Sequence, residues 1–151
     1  MIRDIIDGWQ ASGIVEFQIG LPMQIVQANN LGGFTGSQHP NQVAPAALSR
    51  SERTTARYFN TAAFVAAPQF VIGNAPRFPL HAPGINNWDL TIMRNFKFQE
   101  RYTVQFIGQL FNAFNHPNYN APNTTIGNQN YGRITGAQSS RVTEFALRIF
   151  F

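Results

Sequence analysis

Arginine and aromatic side chains occur together in one part of the chain, where their chemistry suits ligand binding. The group consists of Arg50, Arg53, Arg57, Tyr58, Phe59 and Phe64. Guanidinium groups bind anions through charge-assisted hydrogen bonds, and aromatic rings stack on flat ligands such as sugars. We therefore expect these residues to contact a sugar or an anionic ligand. Packing of the loop and solvation of its charges are the competing interpretation.

The sequence offers no arrangement that would catalyse a reaction or hold a metal ion or a cofactor. Cysteine is absent, and His39, His81 and His116 lie far apart without the spacing of metal ligands. Asp89 and Glu144 are single acids on different segments, which indicates polar lining rather than acid–base chemistry. The eleven Lys and Arg residues form no run and no basic helical face. We expect no enzymatic activity, no cofactor and no nucleic-acid partner.

The end of the chain carries the clearest structural pattern. In the segment 141–151 one face is formed by Thr143, Phe145, Leu147, Ile149 and Phe151. Residues two apart share a face of a β-strand. Alternation of lipid-facing with lumen-facing side chains, closed by a terminal aromatic residue, is typical of an outer-membrane β-barrel strand.

Three further segments alternate in the same way and predict membrane-spanning strands. They lie near 8–27, 88–98 and 102–114, and a bend or a bulge is expected at Gly20, Leu21 and Pro22 within the first. Arg94 interrupts the apolar face of the second segment, but its long side chain can reach the headgroup region, where a cation costs little. A transmembrane helix needs about 20 consecutive apolar residues. No such run is present.

The connections between these segments differ greatly in length. Residues 99–101 form a short polar link, which predicts a hairpin, whereas 28–87 and 117–140 are long and rich in Gly, Asn and Pro. Outer-membrane barrels have short periplasmic turns and long extracellular loops. The longer loop is expected to be partly ordered around its own small packing cluster, because it contains the aromatic positions Tyr58, Phe59, Phe64, Phe70 and Phe78.

Taken together, the patterns predict an all-β fold, an antiparallel transmembrane β-barrel segment of about four strands with long extracellular loops. Aromatic residues are expected at both membrane interfaces. Those near the periplasmic rim are Trp9, Phe98, Tyr102 and Phe151, and those near the outer rim are Trp88, Phe114 and Tyr119. A soluble β-sandwich binding module is the alternative, since its strands also alternate.

Several motifs add a family resemblance that covers most of the chain. They are GWQASGIVEFQIGLP (8–22), RYFNTAAF (57–64), NNWDLTIMRNF (86–96), QLFNAFNHPNY (109–119) and YGRIT (131–135), followed by the terminal strand. The chain resembles the C-terminal part of TonB-dependent outer-membrane receptors, particularly the Oar-like group that carries an N-terminal carboxypeptidase-regulatory-like domain.

The resemblance implies a barrel of about 22 strands around a plug, with uptake of an unidentified extracellular ligand energised by the TonB complex. It also implies contact with outer-membrane lipid, and recognition of the terminal residues Phe145, Leu147, Ile149 and Phe151 by the barrel-assembly machinery. The sequence contains neither the plug nor a TonB-contacting segment, and about eight strands is the smallest barrel. We therefore expect residues 1–151 to be a C-terminal fragment of a larger receptor in the bacterial outer membrane, with a segment of a passive porin as the alternative.

Overall fold

The computed structural model describes residues 8–33, 36–98 and 101–151, and the regular structure in these ranges is almost entirely β-strand. The strands are β1 (Trp9–Gln18), β2 (Pro22–Met23), β3 (Asn41–Gln42), β4 (Phe64–Val65), β5 (Leu80–His81), β6 (Ile85–Phe98), β7 (Tyr102–Phe111) and β8 (Val142–Phe150). A 3₁₀ turn, Thr61–Ala63, precedes β4. Among the described residues, no helix has the length and apolar character needed to cross a membrane.

The four long strands form one antiparallel sheet in the order β1-β6-β7-β8. Its register aligns Trp9 with Arg94, Arg94 with Phe106, and Phe106 with Leu147. Over the described ranges, β1 and β8 each pair with one neighbour, so the sheet is open at both edges. The predicted all-β, antiparallel fold is confirmed.

The two ends of the sheet are connected differently. At one end Phe98 pairs with Tyr102, which confirms the predicted hairpin between β6 and β7. Of its predicted link, Gln99 and Glu100 lie outside the described residues. At the other end, β1 leads into β6 through residues 19–84 and β7 leads into β8 through residues 112–141. Both long connections therefore leave the sheet from the same end.

The predicted strand boundaries are partly wrong. The first strand was expected to reach residue 27, but β1 ends at Gln18 and β2 pairs with β5 instead of with the large sheet. The chain at Gly20 runs so close to the Ala82 carbonyl that a Cβ would lie 1.7 Å from its oxygen. A side chain would block this approach, and glycine allows it. Later along the chain, β7 ends at Phe111 rather than at 114, because Asn112 takes a positive φ of 49°.

Residues 19–84 and 119–138 form a separate compact unit, which we call the loop unit. Its core consists of Met23, Ile25, Ala46, Phe59, Ala63, Phe64, Ala75 and Leu80. This confirms the packing cluster expected in the long loop. Of the aromatic positions that led to this expectation, Phe59 and Phe64 lie in the core and Tyr58 packs against it, whereas Phe70 and Phe78 are 70% and 50% exposed.

Tyr131 packs against the core of the loop unit from the second connection. Its ring meets Phe59 edge-on, with 5.4 Å between the ring centroids. Its hydroxyl is buried and has no hydrogen-bond partner among the described residues. Burial raises the pKa of Tyr131 to about 12, because the phenolate would lose hydration.

Candidate functional site

One face of the sheet is apolar across all four strands. Because partners in the register share a face, the face collects Ala11, Val15, Phe17, Leu90, Ile92, Phe96, Val104, Phe106, Phe145, Leu147 and Ile149. The three on β8 are 65–71% exposed. A contiguous exposed apolar surface of this size is unusual in a soluble monomer, and it suits contact with acyl chains.

Arg94 lies on this apolar face, as its sequence position predicted. Its guanidinium carbon is 5.5 Å from the centroid of the Trp9 ring and 4.7 Å from that of Phe96. Cation–π contact of this kind partly offsets the cost of placing a cation among apolar groups. Arg94 is four residues from the end of β6, so its side chain is within reach of a membrane interface.

Aromatic residues mark both ends of the apolar face. At the end that carries the long connections, the Trp88 ring meets Phe17 and Phe114 edge-on at centroid distances of 5.8 and 5.4 Å. The Trp88 indole nitrogen donates to the Asn86 side-chain oxygen at 3.0 Å. An apolar body with a satisfied polar atom is the character that places Trp at membrane interfaces. At the hairpin end, the cross-strand pair Phe98 and Tyr102 takes the corresponding position.

The opposite face of the sheet is mainly polar. Its polar residues are Gln10, Ser12, Glu16, Gln18, Asn87, Asp89, Thr91, Asn95, Lys97, Thr103, Gln105, Gln109, Glu144 and Arg148. The apolar residues among them are Ile14, Ile85, Met93, Ile107, Phe111, Val142, Ala146 and Phe150. Cross-strand hydrogen bonds occur along it, as between the Gln105 amide nitrogen and Asn95 at 3.0 Å. Asp89 also contributes to the structure, because its carboxylate accepts a hydrogen bond from the Asn112 backbone N–H at 2.9 Å and so connects β6 to the end of β7.

The FNAFNHPN segment at the end of β7 is held by its three asparagine side chains. The buried Asn112 donates to the carbonyls of His116 and Ser139 at 3.0 and 3.3 Å, and it accepts from His116 N–H at 2.9 Å. Asn115 accepts from the backbone of Arg141 just before β8, at 3.0 Å. Asn118 accepts from the backbone of Asn86 in β6, at 2.8 Å. We call Asn112, Asn115 and Asn118 the asparagine clamp, because they tie three strand ends together.

The structure separates the six residues predicted to contact a ligand. Phe59 is 0% exposed and Phe64 is 4% exposed. The prediction for these two residues does not fit, because their rings pack in the core of the loop unit and cannot meet a ligand at its surface. Arg50, Arg53 and Arg57 are exposed, and Tyr58 is half-buried.

Arg53 and Tyr58 line a cleft in the loop unit with a volume of about 410 Å³. The other lining residues are Thr54, Thr55, Pro83, Tyr119 and Ile134. The volume falls in the range of about 300 to 1,000 Å³ that is usual for small-molecule sites. Sequence reasoning missed the contributions of Tyr119 and Ile134, which come from the second connection. Nothing near them in sequence indicates that they approach Arg53.

Backbone hydrogen bonds between the two connections hold the walls of the cleft. Tyr58 N–H donates to the Gly132 carbonyl at 2.9 Å, and Ile134 N–H donates to the Thr55 carbonyl at 2.8 Å. The Tyr58 hydroxyl donates to the His81 carbonyl at 3.1 Å. Residues fixed in this way lose little further freedom when a ligand binds, which favours affinity.

Comparison with known proteins agrees with the apolar face and the antiparallel sheet. A family model described as an outer membrane beta barrel domain matches residues 1–148. No curated protein and no solved structure matched the chain. The match extends over nearly the whole sequence, so it includes the loop unit as well as the strands. The chain therefore belongs to the outer membrane beta barrel domain family, and its strands lie in the bacterial outer membrane.

Proposed function

We propose that this chain supplies the C-terminal strands and two outer loops of a TonB-dependent receptor that takes up a ligand from outside the cell. The observation that carries the proposal is the loop unit. Two long connections fold around a common core and enclose a cleft of small-molecule size. A passive pore needs a wide lumen, whereas a receptor needs an ordered surface that captures its ligand before transport.

The open sheet also supports the proposal. Free β-strand edges bind other strands, and in a membrane their backbone groups must be paired because lipid offers no hydrogen bonds. The edges of β1 and β8 would be satisfied by further strands of a large barrel. The polar face would then line the lumen, and the apolar face would contact lipid.

The terminal strand has two roles in this proposal. Phe145, Leu147, Ile149 and Phe151 contact lipid in the finished barrel, and the same face is recognised by the barrel-assembly machinery during insertion. Their exposure of 65–94% leaves them accessible for both contacts.

Electrical conductance can distinguish a receptor from a porin without knowledge of the ligand. The full-length protein would be extracted from outer membranes and inserted in planar lipid bilayers, with a general porin as the positive control. A plugged receptor is expected to give no steady conductance, and to cross-link to the purified periplasmic domain of TonB. Steady ohmic conductance without TonB contact would overturn the proposal in favour of a passive pore.

A further inference from the structure

We infer that the cleft of the loop unit binds an acidic saccharide, with its carboxylate at Arg53 and a sugar ring against Tyr119. The inference rests on the proposed function only in treating this saccharide as the transported ligand. The binding site itself follows from the charge, the rings and the hydroxyl groups that line the cleft.

The charge of the cleft selects an anion. Among the described residues that line it, Arg53 alone is charged. The hydrogen bonds of the neighbouring carboxylate go to Ser49: Glu52 accepts from the Ser49 hydroxyl at 2.6 Å and from the Ser49 backbone N–H at 3.1 Å. A guanidinium in a partly enclosed site binds a carboxylate through charge-assisted hydrogen bonds.

The side chain of Arg53 is held in place from two directions. Its Nε donates to the Leu48 carbonyl at 3.0 Å. Its guanidinium carbon lies 5.5 Å from the centroid of the Tyr58 ring, which is itself fixed by the hydroxyl bond to His81. With Nε occupied, the two terminal nitrogens are the donors that a carboxylate would use. Fixing the guanidinium in advance reduces the entropy lost on binding.

The remaining lining residues suit a sugar. Tyr119 is 40% exposed and offers an aromatic surface for the apolar face of a pyranose ring. The Thr54 side-chain oxygen accepts from Arg57 N–H at 3.1 Å, so its own hydroxyl proton can be donated to a ligand. Pro83 and Ile134 complete an apolar wall beside these groups. Alternating polar and apolar patches match a sugar better than a uniformly apolar ligand.

Calorimetric titration of the full-length receptor in detergent tests the assignment. The probes are trigalacturonate, which is an acidic sugar, maltotriose, which is a neutral sugar, and benzoate, which is an acid without a sugar ring. We expect trigalacturonate to bind and to weaken as salt is added, while maltotriose binds at least tenfold more weakly. Equal binding of the two sugars, no binding of trigalacturonate, or equally tight binding of benzoate would overturn the inference.

Variants separate the roles of the lining residues. Arg53→Gln is expected to weaken trigalacturonate binding about 10- to 100-fold and to abolish its salt dependence. The matched control is Arg50→Gln, an exposed arginine outside the cleft, which should stay within about twofold of wild type. Tyr119→Ala should weaken binding about three- to tenfold, and Tyr119→Phe should preserve it. Circular dichroism of each variant checks that the fold is retained.

Binding and transport can fail separately. If trigalacturonate binds as expected but its uptake by cells does not require TonB, the cleft stands and the proposed function fails. If the protein contacts TonB and trigalacturonate does not bind, only the ligand assignment fails.

Discussion

Replacing Phe59 with Ala tests whether the loop unit is held together by its own core. Phe59 is fully buried and meets two aromatic rings edge-on, Phe64 at 6.3 Å and Tyr131 at 5.4 Å between centroids. The neighbouring hydrogen bond from Tyr58 N–H to the Gly132 carbonyl joins the two connections. The substitution therefore removes the side chain around which two distant stretches of sequence meet.

The size of the effect follows from the buried volume and the lost ring contacts. Truncating a buried Phe to Ala costs about 3 to 5 kcal/mol, which includes the cavity that remains. Two edge-to-face pairs are lost together, which places Phe59→Ala in the upper part of this range. Since about 1.4 kcal/mol is a tenfold change in an equilibrium constant, amide protection in the loop unit should fall by roughly three to three and a half orders of magnitude.

Hydrogen exchange with mass spectrometry, on the full-length protein in detergent micelles, measures this protection. The informative amides are those of Tyr58 and Asn60, which donate to Gly132 and Ala46, and that of Ile134, which donates to Thr55. All three hydrogen bonds cross between segments that the core holds together. They should become exchangeable on a much shorter timescale in the variant.

Phe70→Ala is the matched control, because Phe70 is the same residue type in the same unit but is 70% exposed. A surface substitution of this kind should change stability by no more than about 0.5 kcal/mol. If Phe59→Ala leaves the three amides as protected as in wild type, or if Phe70→Ala exposes them equally, the core does not stabilise the loop unit and the reasoning is refuted.

Three other perturbations address the clamp, the buried tyrosine and the chain end. Asn112→Ala removes the buried amide that bonds to His116 and Ser139, and should cost about 1 to 3 kcal/mol; an unchanged melting temperature in detergent would contradict the clamp. In wild type the raised pKa of Tyr131 means that stability is fully present below about pH 10 and declines towards pH 12. Tyr131→Phe should remove this decline and leave stability at neutral pH unchanged, because the hydroxyl has no partner within the described ranges. Thermal unfolding followed by near-UV circular dichroism measures both, and a variant that still loses stability between pH 10 and pH 12 would contradict the role of Tyr131. Deleting Phe151 from the full-length protein should reduce the amount of heat-modifiable barrel on gels, and equal amounts of assembled protein would count against an assembly role.

The strands could be predicted from the sequence because each has a local period of two. The same period predicts correctly that Arg94 lies on the apolar face, where it pairs with Phe106. The position of a residue in the strand determines its face, whatever the polarity of its side chain. The same logic failed beyond Gln18. Met23 and Ile25 continue the alternation but are buried in the loop unit. Alternation indicates that one side of a segment is covered, and it does not indicate whether lipid or protein covers it.

The candidate site could be predicted only where its residues are neighbours in sequence. Arg53 and Tyr58 were recognised together because they are close along the chain. Phe59 and Phe70 each have one polar neighbour, Asn60 and Gln69 respectively, yet Phe59 is fully buried and Phe70 is exposed. Their difference depends on contacts with residues far along the chain, such as Tyr131. Pairings of this kind are absent from any short window of sequence.

The asparagine clamp has a consequence for how this protein can vary. A carboxamide both donates and accepts hydrogen bonds, so neither Asp nor Leu can substitute for the buried Asn112 without losing bonds to His116 and Ser139. The clamp fastens the chain on both sides of residues 119–138, at His116 and at Arg141. A different loop sequence between these two points would still begin and end at residues held by the clamp. The sequence of this loop, and with it the surface that it presents, can therefore change while the strands keep their register.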